Sequence, residues 1–352
     1  MRTQRRHGRP RGRGKVLGGV CGLMLICASA KASVAVLLEQ PYGKLGFFDT
    51  AGHSAIYLDH VCAASPTELR PCREGELGVV ISRYDGIGHY DWLAMPLMAY
   101  LYAVDSADEI PVTMDRATEG ALRDSYRRAH LEGVAPDTAE GVAPDGNWYE
   151  LAGAAYDRAI YGFSVKSTAD QDAALIARFN DRENVERYNG FFVNCADFSR
   201  TTINTFYPHA VRRNFVADLG MTSPKSVARG LAHYSAKHPE VGLQVFLIPQ
   251  VKGGLPRSHP AQGLAEGILK RYGVPLMVLS PTTTAAVLVA YVGQGRFSMP
   301  KDAVVLDLHD EAAMAFLDGE PVADFVVGPS GGVEKPASLR TISVAAMPSG
   351  SN

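Results

Sequence analysis

"FFVNCADFSR", residues 191 to 200, runs an apolar segment into Asn194-Cys195 and then into a stretch of helical character, Ala196 to Phe206. Asn194 is a good N-cap, and Asp197 puts an acidic group in the first turn, where it complements the helix dipole. The preceding "YNGFFVN" reads as a short strand or extended lead that delivers a cysteine to the start of a helix. A thiol placed there lies against backbone N–H groups, which lower its pKa and can also stabilise an oxyanion.

Whether such a thiol matters depends on the other cysteines and on where the chain works. Residues 1 to 32 have the form of an export signal: seven basic residues from Arg2 to Lys15, the apolar run "VLGGVCGLMLICASA", and small residues at 28–30 and 30–32 that fit a cleavage site. An uncleaved anchor is the competing expectation. Cys21 and Cys27 lie inside this leader. Cys62 and Cys72 lie ten positions apart in "VCAASPTELRPC", and in an exported, oxidising setting they are expected to form a local disulfide. Cys195 is then left unpaired. A buried inert thiol is one account of it; an unpaired thiol in the periplasm or cell envelope points instead to a reactive role.

The leader carries eight of the 35 basic residues, leaving 27 against 37 acidic ones, a formal charge near −10. An acidic chain with no basic block beyond its leader offers no nucleic-acid footprint. The sequence has no H-E-x-x-H, no C-x-x-C and no tight His/Asp cluster, so neither a metal nor another cofactor is expected at His60, His89 or elsewhere. It also lacks G-x-S-x-G.

Hydrophobic patterning places strands at 33–39, 52–60, 76–84 and 241–249, and helices at 114–130, 167–179 and 222–238. The second of these helices opens on Thr168 and Gln171 in capping-box spacing, and the third on Ser223 with Pro224 at its first position. The tandem "EGVAPDTA", "EGVAPDGN" (132–147) is a Pro/Gly/Asp-rich surface loop. Residues 273 to 293 are long and apolar enough to span a bilayer, but Pro275, Pro281 and three threonines interrupt them. A buried strand-turn-helix and a membrane-surface segment compete with a span. The tail from 328 is rich in Gly, Pro and Ser and has the composition of a disordered segment.

A nucleophilic cysteine is also activated by an imidazole. Among the histidines, His53 is the best placed. "TAGHSAIYLDH" puts it at the start of an alternating strand, after Gly52, with Ala55, Tyr57 and Asp59 on its face, from which it can face the helix of Cys195. His209, His233 and His238 are the alternatives if the cysteine precedes the histidine along the chain, as in the classical papain order, but they lie in helical or loop contexts.

"GHSAIYL" followed far downstream by "NCADF" resembles the circularly permuted NlpC/P60 group of papain-like enzymes, which includes the lecithin:retinol acyltransferase-like proteins. The resemblance covers His53 to Leu58 and Asn194 to Phe198. It implies an α+β fold, a papain-like antiparallel sheet with a nucleophile-bearing helix, over residues 33–210. A C-terminal α/β extension, 211–327, and the tail, 328–352, would follow. It implies Cys195 as nucleophile and His53 as general base. The group places a further polar residue on the next strand to orient the histidine; here Ser82, Arg83 and Asp85 are on offer, and Ser82 is preferred. Tyr57 and Asn194 are candidates for substrate contact, with packing the rival role for Tyr57.

The function expected from these residues is an exported cysteine hydrolase or acyltransferase working through a thioester on Cys195. Its partner would be a cell-wall peptide or the acyl group of a lipid or lipoprotein, with membrane contact through 273–293. The alternative is a non-catalytic envelope binding protein on a papain-like scaffold.

Overall fold

The computed structural model describes residues 32–42, 51–301 and 303–309, together with Ala313 and Leu317. The leader up to residue 31 and the tail from 328 lie outside the described residues. The chain is α+β, built on one mixed seven-stranded sheet.

Strand β1 (Ser33–Glu39) sits in the middle of that sheet, which is why "SVAVLLE" is apolar almost throughout instead of alternating. It pairs antiparallel with β2 (His53–Leu58) on one side and β7 (Ile160–Lys166) on the other. Beyond β2 come β5 (Val79–Ser82) and β6 (Leu93–Pro96); beyond β7 come β8 (Gln244–Ile248) and the short parallel β9 (Val304–Val305).

Both faces of β1 are covered. Val34, Val36 and Leu38 join Ile56, Leu58 and Ile81 in a core under α5 (Cys195–Phe206) and α6 (Pro224–Ser235). Ala35 and Leu37 join Tyr57 and Val80 in a second core with α1 (Leu97–Tyr102). Each of the larger of these side chains contributes about 1.5–3 kcal/mol relative to exposure, so β1 anchors both layers.

Helix α2 (Arg116–His130) is capped by Asp115, and α3 (Ala154–Asp157) leads into β7. The capping box of Thr168 and Gln171 opens α4 (Ala169–Asn180), and Ser223 caps α6 with Pro224 at its first position.

Strands β3 (Val61–Ser65) and β4 (Glu68–Pro71) form a separate hairpin, and the Cys62–Cys72 disulfide closes it. Loop-closure entropy gives such a crosslink about 3 kcal/mol against the unfolded chain. Replacing both cysteines by alanine is therefore expected to lower unfolding free energy by roughly 2–3 kcal/mol. The check is a lower denaturant midpoint, with a slope that is equal or steeper because the unfolded chain loses its crosslink; an unmoved midpoint would mean the hairpin is already closed when unfolded.

The segment 211–327, set apart in the sequence as an extension, supplies α6 and β8 to the same sheet-centred body, so residue 210 is not a boundary there. What projects is a helical hairpin, α7 (Leu264–Leu279) and α8 (Pro281–Ala290), whose two helices pack chiefly on each other. Among the described residues no helix is long and apolar enough to cross a membrane. The bilayer-span expectation for 273–293 is thus corrected. Proline disfavours helical backbone at the residue before it, so Ser280 leaves the helix (φ −152°) and Pro281 starts a new one.

Candidate functional site

Cys195 is the first residue of α5, and it is the free cysteine of the described chain. Asn194 caps the helix: its Oδ1 accepts from the Asp197 N–H at 2.8 Å while its Nδ2 donates to the Thr222 carbonyl at 3.1 Å. The second bond ties the helix start to the loop before α6.

The lead into the cysteine departs from the extended form expected for "YNGFFVN". Asn189 and Val193 exchange backbone hydrogen bonds at 3.0 Å, and Asn189 Oδ1 accepts from the N–H groups of Phe191 and Phe192. An asparagine side chain that bonds its own backbone two residues on makes a turn, and this outcompetes the strand preference of Phe-Phe-Val. Phe191 and Phe192 consequently stand half in solvent (51% and 52% exposed) at the threshold of the cysteine.

Cys195 forms part of the wall of a cavity of about 130 Å³, with Gly52, Tyr188, Thr222 and Leu264 around it. Burial pushes its thiol up to about 11, and the backbone N–H groups of Ser54 and Ala196 oppose that shift. The sulfur therefore lies close to the backbone of Ser54 in β2 as well as to that of Ala196 in its own helix. Two such donors also suit an oxyanion formed next to the sulfur.

The expectation that His53 faces α5 across the strand needs correction. Helix α5 packs on the face of β2 carrying Ser54, Ile56 and Leu58, and Ser54 Oγ donates to Ser199 Oγ at 2.9 Å. His53, Ala55 and Tyr57 point to the other face, because strand side chains alternate. Cys195 reaches this end of the strand only as the first residue of the helix, beside the backbone of Ser54, the residue that follows His53. Gly52 makes this corner. Its φ is +73°, and a Cβ there would fall 2.0 Å from the Glu39 carbonyl oxygen, so only glycine fits.

His53 Nε2 lies 2.7 Å from Ser82 Oγ, and the ring stacks on Tyr84 at 5.2 Å between centroids. Ser82 Oγ spends its proton on the Ser54 carbonyl at 3.0 Å, so toward the imidazole it acts as acceptor. That fixes the tautomer: Nε2 carries the hydrogen and Nδ1 keeps a free lone pair. Burial drives the His53 pKa down to about 4, so the ring is neutral at physiological pH. Of the three residues offered as orienters, Ser82 touches the imidazole, whereas Arg83 is engaged in a two-pronged pair with Asp91 at 2.8 Å.

Tyr57, a candidate for substrate contact, is buried in the core with its hydroxyl donating to the Leu77 carbonyl at 2.8 Å, and it does not line the cavity. Packing is its role. Asn194 does line the cavity. His209, His233 and His238 line a different groove, one that does not include Cys195. His60 is paired with Asp59 at 2.7 Å.

One feature of the site escaped the sequence. Glu39 pairs in register with His53 across β1 and β2, and it is 2% exposed. Tyr100 donates to one of its oxygens and Arg158 sits 3.2 Å from the other, while burial raises its pKa. The signal available was a lone carboxylate closing an otherwise apolar central strand.

No family model, curated protein or solved structure matches the chain.

Proposed function

We propose that the protein is a cysteine-dependent hydrolase or acyltransferase, which takes an acyl group from an amide or ester as a thioester on Cys195. In the first step Sγ attacks the carbonyl carbon as His53 Nδ1 takes the thiol proton. The N–H groups beside the sulfur stabilise the oxyanion. On collapse, the leaving amine or alcohol takes its proton from the imidazolium, and water or an acceptor nucleophile then releases the acyl group by the reverse path. The substrate classes in keeping with an exported chain are a cell-wall peptide and a lipid or lipoprotein acyl group. The papain-like ancestry suggested by "GHSAIYL" and "NCADF" belongs to the same proposal.

The observation that carries it is the 2.7 Å contact of His53 Nε2 with Ser82, because it leaves Nδ1 as the basic nitrogen of a neutral imidazole, on the residue next to Ser54, whose backbone lies beside the cysteine. Both groups rest neutral, so the chemistry is general-base attack rather than a preformed ion pair. A non-catalytic scaffold would share that neutrality. The two separate on incubation of the protein with an activated acyl ester: intact mass is expected to gain one acyl group, mapped to Cys195 and missing from Cys195→Ala. An unmodified chain, or equal modification of the alanine variant, rules the enzyme out.

A further inference from the structure

A second groove lies along α6, away from the cysteine. Arg229, His233 and Lys237 recur at four-residue spacing on one face of α6 and the turn beyond it, and His209, Arg212 and Arg213 meet them from the loop after α5. The groove encloses about 700 Å³ and, among the described residues lining it, has no carboxylate. Two acids touch its cations from outside and a third acts at longer range: Asp197 holds Arg213 at 2.8 Å, Glu240 accepts from His238 at 3.0 Å, and Asp218 acts on Arg229 electrostatically without bonding it. Arg229 Nε is buried without a hydrogen-bond partner. Residues 32–352 carry a formal charge near −10, so this concentration of cations marks a place for an anionic occupant.

Gln294, which lines the groove, belongs to the return leg of the α7–α8 hairpin, and its carbonyl accepts from Asn214 Nδ2 at 3.1 Å. Between Arg271 and Arg296 the chain carries no charge. Val274, Val278 and Leu279 on α7 are 79%, 79% and 82% exposed, and Val289 on α8 is 71% exposed. Phe215 and Leu219 extend this surface along the loop whose Ala217 carbonyl accepts from Ala265 N–H. The run from Tyr272 to Leu279 is about 12 Å long, enough to enter one leaflet of a hydrocarbon core about 30 Å thick and too short to cross it.

We infer that this face docks on an anionic lipid bilayer, with the uncharged hairpin inserted into one leaflet and a phosphate-bearing headgroup held in the groove between α6 and Arg212. Apolar insertion beside a basic patch is the combination that a bilayer interface satisfies and that a soluble phosphate does not. The inference does not depend on the acyl chemistry at Cys195.

The test is co-sedimentation of the full chain with vesicles of phosphatidylcholine alone and of phosphatidylcholine with about one-third phosphatidylglycerol. The wild type is expected to prefer the anionic vesicles and to lose that preference as salt rises. Each cation at such a surface changes partitioning about fivefold, so Arg229→Gln with Lys237→Gln is expected to weaken anionic binding about 25-fold. Val278→Asp with Leu279→Asp is expected to abolish binding to both vesicle types, and Cys195→Ala to bind as the wild type does. The inference falls if wild type binds both vesicles equally, if millimolar inorganic phosphate displaces it, or if the hairpin variant only splits a dimer and leaves vesicle binding intact.

Discussion

Replacing His53 with asparagine is expected to slow acylation of Cys195 by about 10³-fold at neutral pH, within the range that a positioned general base supplies. The pH profile is the sharper readout. The folded-state pKa of His53 is lowered to about 4, so the wild-type base is already deprotonated from about pH 5 upward and the rate should stay level across neutrality. The acid limb is expected near pH 4 rather than near the ordinary histidine value. Without the imidazole, attack requires thiolate. The thiol is raised to about 11, so the variant's rate should climb tenfold per pH unit from 6 to 10. A flat profile for His53→Asn would remove the histidine from the reaction. Ser82→Ala keeps the ring but frees its tautomer; a loss of about tenfold is expected of a positioning residue, with the acid limb still near 4 because burial rather than the serine sets it. A purely structural serine would lower stability and leave the rate of the folded variant unchanged.

Local signals carried far in this chain because several elements announce themselves at their ends. Asn194, Thr168 and Ser223 each cap the helix whose start they mark in the sequence, and each cap bond is a contact three residues away. The Cys62–Cys72 bridge followed from spacing and compartment. What failed was information that short stretches do not hold. Strand alternation showed that His53 and Tyr57 share a face, but which face α5 would cover depends on packing between elements some 140 residues apart. Phe191-Phe192-Val193 looked extended because β-propensity is strong there; the bonds of Asn189 overrode it. The break at Ser280-Pro281 was visible as a proline, yet the helical hairpin on either side was not, since apolar runs do not distinguish buried, lipid-facing and surface helices. Buried ionic clusters are the least legible class, because their members come from separate elements.

The largest stability effect is expected at one such cluster. Arg123 on α2 is 7% exposed and spends its guanidinium on four partners: Glu119 one turn back, Asp157 at 2.8 Å, and the carbonyls of Ala152 and Gly153 at 2.8 and 3.0 Å. Glu119 and Asp157 are themselves 1% and 2% exposed, and burial raises Glu119 despite the cation beside it. Arg123→Ala would leave two buried carboxylates facing each other with only Arg116, two-thirds in solvent, to offset them. Removing one member of a buried ionic group costs about 3–5 kcal/mol, which in a domain of this size lowers the melting temperature by roughly 10 °C. Lysine cannot replace the planar fork, so Arg123→Lys should recover little of the loss. The double variant Arg123→Met with Asp157→Asn should recover more, because it removes the uncompensated charge as well as the cation. Melting curves at neutral pH decide the matter: a drop of only 1–2 °C for Arg123→Ala would mean that solvent screens the cluster and that α2 is held to α3 by apolar contacts alone.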